Sequence, residues 1–295
     1  MSAGRLAPSP TGAQHLGNAR TFLIAFWAAR STGKRLVLRI EDVDSPRVKP
    51  WAIEQAIEDL AWLGIDWDEG PVIQTQRLKL YENALDRLIN GDLVYPCTCT
   101  RKDIEEAGSA PHFDHEPAIY PGTCSGWRNG DPMPDQGAFC WRFRLADHTV
   151  EFDDLVLGKN RCVPAEDLGD FPVTQKNGSP SYQLAVVVDD AEMGITEVVR
   201  GDDLVASTYR QLELFHALGY QAPTFAHVPL VVGTDGRRLA KRHGDSRLSH
   251  YRETGIKPEV IVDWAMQTSG LDPASFDWSD MNRSPVIVDR FPPPA

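Results

Sequence analysis

The sequence predicts an α/β fold in two halves, interrupted by a small inserted β-rich domain. Three observations carry this reading. Strand and helix patterns alternate through residues 1–95. From 96 to 168 they give way to cysteines, prolines, glycines and short alternating runs, and from 169 to 223 the α/β pattern resumes. A last part, 224–285, holds one strand, a basic stretch and short helices. Alternation of this kind implies a largely parallel sheet with helices packed on its faces.

Taken in order, Gly4 to Ala7 reads as a short strand and Pro8-Ser9-Pro10-Thr11-Gly12 as a breaker-rich turn. A helix follows from Leu16 to Ser31, closed by Gly33. Its apolar run, Phe22 to Ala29, is too short to cross a bilayer and continues into Arg30 without a cleavage pattern. It reads as a buried helix. Arg35 to Ile40 is a strand buried on at least one face, and Asp44-Ser45-Pro46 is a helix-start signal. Ile53, Ala56, Ile57, Leu60 and Leu63 then recur at helical spacing. Thr75 to Asn90 predicts a further helix, ended by Gly91. In the insertion, Phe139 to Arg144 alternates as a strand does. Gln183 to Val188 and Ile195 to Val199 read as strands, and Thr208 to Leu218 as a helix. A strand from Thr224 and a Thr234-Asp235-Gly236 turn lead into the basic stretch. Residues 286–295 read as a frayed tail.

Composition narrows the function. With 42% hydrophobic and 24% charged residues the chain is globular, not disordered. No run is long enough for a membrane span, so a cytoplasmic protein is expected, with a monomer as the default. Five cysteines is an odd count for a disulfide framework, and three fall within 28 residues, which suggests a metal site in a reducing compartment. The formal net charge of −12 excludes a protein that grips nucleic acid over its whole surface. Yet Pro229 to Lys257 carries seven Lys/Arg against three acids. A local nucleic-acid contact remains open.

Three elements could carry chemistry. In the first, a strand enters the Pro/Gly turn and then a helix whose first turn holds His15, Gly17 and Asn18. Free N–H groups and the positive end of the helix dipole suit a phosphate chain there. No GxGxxG follows, so a dinucleotide reading has nothing to rest on. The second is Arg237 to Arg242, four cations in six residues after a tight turn, able to clamp a polyphosphate. The third is Cys97-x-Cys99 with Tyr120-x3-Cys124. Three thiolates in one loop-rich segment can hold a tetrahedral zinc, with Tyr120, His112 and His115 as candidates for the fourth ligand.

Together these elements resemble the glutamyl-tRNA synthetase family of class I aminoacyl-tRNA synthetases. Ala7-Pro8-Ser9-Pro10-Thr11-Gly12 with His15-Leu16-Gly17-Asn18 looks like that family's extended HIGH signature, and Lys241 falls in the place of the second lysine of KMSKS. Arg39-Ile40-Glu41-Asp42, Gly64 to Pro71, Tyr95-Pro96-Cys97 and Arg200-Gly201-Asp202-Asp203 agree as well. The resemblance spans about Arg5 to Gly270. It implies a class I Rossmann-type core, an inserted zinc-binding, acceptor-side domain and a short C-terminal helical segment. The chain stops soon after the basic stretch, without the family's anticodon-binding portion. That feature and the cysteine pattern are similar to the subfamily that attaches glutamate to queuosine in tRNA(Asp).

The resemblance also implies roles. Arg5, Ser9, Glu41, Tyr182 and Arg200 would bind L-glutamate, the arginines pairing with carboxylates and Glu41 with the ammonium. His15, Gly17, Asn18 and Lys241 would hold ATP and its Mg²⁺, with His15 and Lys241 the catalytic pair. Cys97, Cys99, Tyr120 and Cys124 would hold one structural zinc, the subfamily's fourth ligand being the tyrosine. Glutamate attacking the α-phosphorus would give glutamyl-adenylate without tRNA, and the activated glutamate would pass to the cyclopentenediol of queuosine. Two departures stand out. Leu239-Ala240 replaces Met-Ser in the second signature, and Asn18 replaces the last histidine of the first. The alternatives are a minimal synthetase charging tRNA(Glu) and a non-catalytic tRNA-binding paralogue.

Overall fold

The computed structural model describes residues 2–43, 48–107, 118–135, 137–236, 239 and 246–288. The first half runs β1 (Ala3–Leu6), α1 (Leu16–Ser31), β2 (Arg35–Ile40), α2 (Pro50–Trp62), β3 (Glu69–Ile73) and α3 (Leu78–Asn90). Then come β4 (Val94–Cys97), α4 (Arg101–Ala107), β5 (Cys140–Phe143), β6 (Val150–Asp154), β7 (Gly158–Cys162), α5 (Pro164–Asp167) and β8 (Phe171–Pro172). The second half is α6 (Tyr182–Glu192), β9 (Glu197–Gly201), α7 (Val205–Ala217) and β10 (Thr224–Val228). It is followed by β11 (Val231–Val232), α8 (Leu248–Glu253), α9 (Pro258–Ser269) and β12 (Val286–Ile287).

β1, β2 and β3 pair in parallel, with Leu6 opposite Leu38 and Ile40 opposite Ile73. Parallel neighbours need crossovers, which α1 and α2 provide. Leu16, Ala19, Leu23, Ile24, Trp27 and Ala28 of α1 are all buried, so this helix is wrapped by the core. Its one buried cation, Arg20, is satisfied by Pro229 O at 2.9 Å and Thr268 Oγ1 at 3.2 Å, which ties α1 to α9. Gly270 ends α9 at φ +75, in the left-handed region; a Cβ there would lie 2.7 Å from Asp280 O, so only glycine fits.

β9 and β10 pair in parallel, and β6 joins the far side of β10. The two sheets meet at β1 and β9. Thr196 N donates to Ala3 O at 2.8 Å, and Ala3 N donates to Thr196 Oγ1 at 3.0 Å. From these central strands the chain departs in opposite directions, β1 through α1 to β2 and β9 through α7 to β10. Open α/β sheets bind ligands at such a divide, beyond the carboxyl ends of the strands.

The expected α/β core and small β-rich insertion are both present, with four differences. Gln183 to Val188 is not a strand but part of α6. Its run of leucine, alanine and three valines is buried on all sides, and burial of that kind does not reveal the period. The hairpin β6–β7, within the segment read as an insertion, extends the core sheet: Leu155 N donates to Phe225 O at 2.9 Å, and Phe152 packs edge-on against Phe225 and Tyr209. Helix α2 begins at Pro50, with Lys49 at its cap. Of the expected start signal, Asp44, Ser45 and Pro46 lie outside the described residues. Finally, Val286 and Ile287 are not frayed but pair with Val231 and Val232; residues 289–295 are outside the description.

Candidate active site and metal-binding cluster

A cavity of about 630 Å³ opens beyond the ends of β1 and β9. Arg5, Ser9, His15, Gly17, Asn18, Glu41, Tyr182 and Arg200 all line it, so eight of the nine residues expected to hold glutamate or ATP converge on one space. The ninth, Lys241, lies outside the described residues, as do His112 and His115. Its described neighbour Leu239 lines the cavity.

At one end of the cavity is the start of α1. His15 is the N-cap residue, and its backbone N–H donates to Asn18 Oδ1 at 3.2 Å. Asn18 therefore has a structural task, closing the first turn, besides facing the cavity. No acid occupies that turn, so the positive end of the dipole is not offset locally. Gly17 packs close to β11, since a Cβ there would sit 3.4 Å from Val231 Cβ. The segment after the basic stretch is stitched to the same turn. Leu16 N donates to Ser246 O at 3.0 Å, Leu248 N donates to Gln14 O at 2.9 Å, and His15 Nδ1 lies 3.2 Å from Ser246 Oγ.

The opposite wall is charged and buried. Arg200 is 4% exposed, and every N–H of its guanidinium has an acceptor. Nε donates to His227 Nε2 at 3.1 Å, Nη1 to Gln211 Oε1 at 2.9 Å and Nη2 to Thr208 Oγ1 at 2.6 Å. Two further contacts are long: Nη1 to Tyr182 OH at 3.5 Å and Nη2 to Leu204 O at 3.4 Å. Tyr182 and Leu204 line the cavity, whereas His227, Gln211 and Thr208 do not. The weakly held prongs of the fork thus face the open space, the arrangement a planar carboxylate requires. Phe225 lies beneath, its ring centre 5.2 Å from the guanidinium carbon.

Arg5 donates to Val199 O at 3.1 Å and lies 3.8 Å from Asp190. Burial lowers its pKa, while Asp190 and Glu41 oppose that shift. Glu41 accepts from Arg39 Nη2 at 2.9 Å; burial raises its pKa and Arg39 and Arg5 pull it back. Arg39 is fully buried behind both residues and binds Asp190 at 2.6 Å. The neighbouring Asp189, also fully buried, accepts from Gln74, Arg77 and Tyr81 at 2.7 to 2.9 Å. The cavity is therefore lined by the guanidinium groups of Arg5 and Arg200 and the carboxylates of Glu41 and Asp203, suited to a ligand with carboxylate and ammonium groups. Sequence reasoning singled out eight of the residues that line the cavity, but not Asp203, Gln14, Thr11 or Thr21, which line it too. It missed the residues that hold them: Arg39, Asp154, Asp189, Asp190, Thr208, Gln211 and His227. Their one signal was polarity inside otherwise apolar elements, as with His227 in Thr224–Val228.

Cys97, Cys99 and Cys124 place their sulfurs within 4.8 Å of one another. Cys99 and Cys124 are 3.7 Å apart, and Tyr120 OH lies 3.4 Å from Cys97 Sγ and 3.9 Å from Cys99 Sγ. Tetrahedral ligation by sulfur at 2.3 Å needs edges of roughly 3.8 Å, so this donor set can hold a metal ion. Backbone and charge support it. Gly169, at φ +69, lets the chain lie against Tyr120, where a Cβ would come within 3.1 Å of Tyr120 N. The Arg142 guanidinium stacks 3.9 Å from the centre of the Tyr120 ring. The Cys97 thiol is lowered to about 4, chiefly by the Cys140 hydrogen bond, against burial. Among the described residues, none between Glu41 and Tyr182 lines the cavity, so the cluster lies apart from it.

Comparison with known proteins agrees with this geometry. Residues 3–275 match the family described as tRNA synthetases class I (E and Q), catalytic domain. A Glutamyl-Q tRNA(Asp) synthetase of Rhodopirellula baltica is 56% identical, the alignment covering 97% of this chain and 96% of that protein. Another protein so named, of Symbiobacterium thermophilum, is 47% identical over 92% of this chain and 87% of its own. Among solved structures, a glutamate tRNA ligase of Elizabethkingia meningosepticum in complex with its amino acid superposes with a TM-score of 0.80 at 26% identity. That match covers 97% of this chain and 66% of the ligase.

Proposed function

The chain belongs to the catalytic-domain family of the class I tRNA synthetases for glutamate and glutamine, and on that premise we propose that it activates L-glutamate with ATP and transfers it to queuosine in tRNA(Asp). The observation that carries the activation step is the convergence of Arg5, Arg200 and Glu41 with the start of α1 in one cavity. The arginines pair with the carboxylates of glutamate and Glu41 with its ammonium, while Ser9 and Tyr182 supply hydroxyl groups. ATP phosphates lie at the N-terminus of α1, near His15 and Gly17. A glutamate carboxylate oxygen attacks the α-phosphorus, the bond to the bridging oxygen breaks, and pyrophosphate leaves. Lys241 offsets charge on that leaving group and Mg²⁺ accompanies ATP. This step is catalysed by positioning and electrostatics, without a protein nucleophile. Transfer to queuosine rests on the names carried by relatives similar to this chain in length and sequence.

Zinc is the metal proposed for the cysteine cluster. Three thiolates and a phenolate would complete a tetrahedral shell and leave no position for a substrate, so the ion would serve to fix the loops around Tyr120. The protein is proposed to act in the cytoplasm. Among the described residues no helix is long and apolar enough to cross a membrane.

The deciding test is transfer of labelled glutamate, with ATP and Mg²⁺, to queuosine-containing tRNA(Asp) and in parallel to tRNA(Glu). Label on tRNA(Asp) that survives removal of the 3′ end is expected. Label confined to the tRNA(Glu) terminus would instead establish a short glutamyl-tRNA synthetase. Glutamate-dependent pyrophosphate exchange with neither tRNA labelled would leave the activation chemistry standing and overturn the acceptor.

A further inference from the structure

Among the described residues no carboxylate is hydrogen-bonded to the guanidinium of Arg200, an unusual state for a buried cation. Its Nε–H donates to His227 Nε2. In that bond Nε2 accepts, which places the ring proton on Nδ1; Nε2 also lies 3.0 Å from Thr208 Oγ1, whose hydroxyl can donate to the same lone pair. Nδ1 is 2.6 Å from Asp154 Oδ2, and both residues are fully buried side chains. Asp154 is itself fixed by backbone N–H donors from Val156 and Leu157 at 2.9 Å and from His227 at 3.2 Å. The imidazole also lies parallel to the Phe225 ring, 5.9 Å between centres. Nothing in this chain of contacts touches the cavity except Arg200.

We propose that Asp154 and His227 form a positioning relay that locks the imidazole in its Nδ1–H form and thereby holds the Arg200 fork toward a substrate carboxylate. The two residues come from different parts of the chain, Asp154 from the β6–β7 hairpin and His227 from β10. The hairpin thus contributes to ligand recognition without lining the cavity. A carboxylate in place of His227 would neutralise Arg200 and compete with the ligand. The relay instead presents a neutral acceptor to Arg200 and keeps the negative charge one ring away. Arg200 stays fixed by His227, Gln211 and Thr208, while the N–H groups in the long contacts remain available.

This inference rests on the reading of the cavity as a glutamate-activating site, and its test separates the two. Glutamate-dependent pyrophosphate exchange in the parent protein is measured first; its absence counts against the activating site alone. The variants His227→Gln and His227→Asn then differ in which nitrogen they replace. Glutamine can present an acceptor where Nε2 stands, and asparagine can reach only the Nδ1 position. Hydrogen bonds to charged groups contribute about 1.5–3 kcal/mol, so His227→Asn is expected to raise KM for glutamate roughly 10- to 100-fold. KM for ATP should stay within about twofold, since the two sites do not share these contacts. His227→Gln should recover most of the loss. Equal effects of the two variants, or parallel rises in both KM values, would overturn the relay. A second measurement needs neither substrate nor substitution. Nitrogen NMR of the parent protein should show the His227 ring protonated at Nδ1 and bare at Nε2 between about pH 6 and 8. A proton on Nε2 would be incompatible with the proposal.

Discussion

Glu41 sits between opposing influences. Burial raises its pKa, and Arg39 and Arg5 lower it. Its work in the proposed reaction is to meet an ammonium as a carboxylate. Glu41→Gln keeps the size and can still accept from Arg39, but it removes the charge. KM for glutamate is expected to rise about 10- to 100-fold, from loss of a charge-assisted hydrogen bond, with KM for ATP unchanged. Pyrophosphate exchange against each substrate would show this, and an unchanged glutamate KM would remove Glu41 from the site. Asp59 illustrates the opposite case, a buried carboxylate with a poor partner. Among the described residues neither oxygen has a hydrogen bond, and Arg252 Nη1 lies 3.4 Å from Oδ1. Burial raises its pKa from 3.8 to about 6. Between those values the folded chain holds a proton that the unfolded chain has lost, so this contribution to stability falls as pH rises through the window. Asp59→Asn should match the parent near pH 3 and exceed it by about 1–2 kcal/mol at pH 8. Urea midpoints at pH 3, 5 and 8 would check this; a difference independent of pH would refute it. The two residues also mark how far side-chain roles are legible in a sequence. Glu41 lies in a short motif beside its own strand. Arg39, two residues earlier, depends on Asp190, 151 positions away, and no local pattern announces such a partner.

At the scale of elements, legibility followed solvent contact. α3 has one apolar and one polar face and was found with its end at Gly91. α6 was misread because Leu184 to Asp190 are all buried, including two aspartates that a strand reading cannot accommodate in a core. Those aspartates carry the buried ion network behind Glu41 and Arg5, so the misreading concealed the second layer of the site. The place of the hairpin β6–β7 in the chain assigns it to the insertion; its contacts with β10, Asp154 opposite Phe225 among them, show which sheet it serves. The cysteine cluster was legible from spacing, and it supports a prediction at this scale. Cys99→Ser should abolish stoichiometric zinc, read by atomic absorption, and lower the melting temperature. Glutamate-dependent pyrophosphate exchange should remain within about twofold at 20 °C, because none of the cavity wall comes from this region. Loss of exchange in a folded Cys99→Ser protein would show that the cluster reaches the active site after all.

For the whole molecule, charge decides how an RNA partner can be held. The net charge of −12 makes most of the surface repel a polyanion, and residues 229–257 are the local exception. Of the seven cations there, Arg252 is already committed to Glu58 and Asp59 on α2. At most six others can meet phosphates. Each phosphate neutralised contributes about −0.7 to −0.9 to the slope of log affinity against log salt. If this segment carries the contact, the slope for tRNA binding should be no steeper than about −5. With half of the six engaged, affinity should fall roughly 40-fold between 50 and 200 mM salt. Glutamate activation should respond differently, because Arg5 and Arg200 are buried and screening acts weakly on buried pairs. The measurement is therefore a pair of salt titrations on one preparation, tRNA binding beside pyrophosphate exchange. A steep slope in the first and a flat one in the second assigns RNA contact to the basic segment and amino-acid recognition to the buried wall. A slope steeper than about −5 would require phosphate contacts on the acidic remainder of the surface. Parallel slopes would mean that tRNA and glutamate are read by the same charges, which the burial of Arg5 and Arg200 argues against.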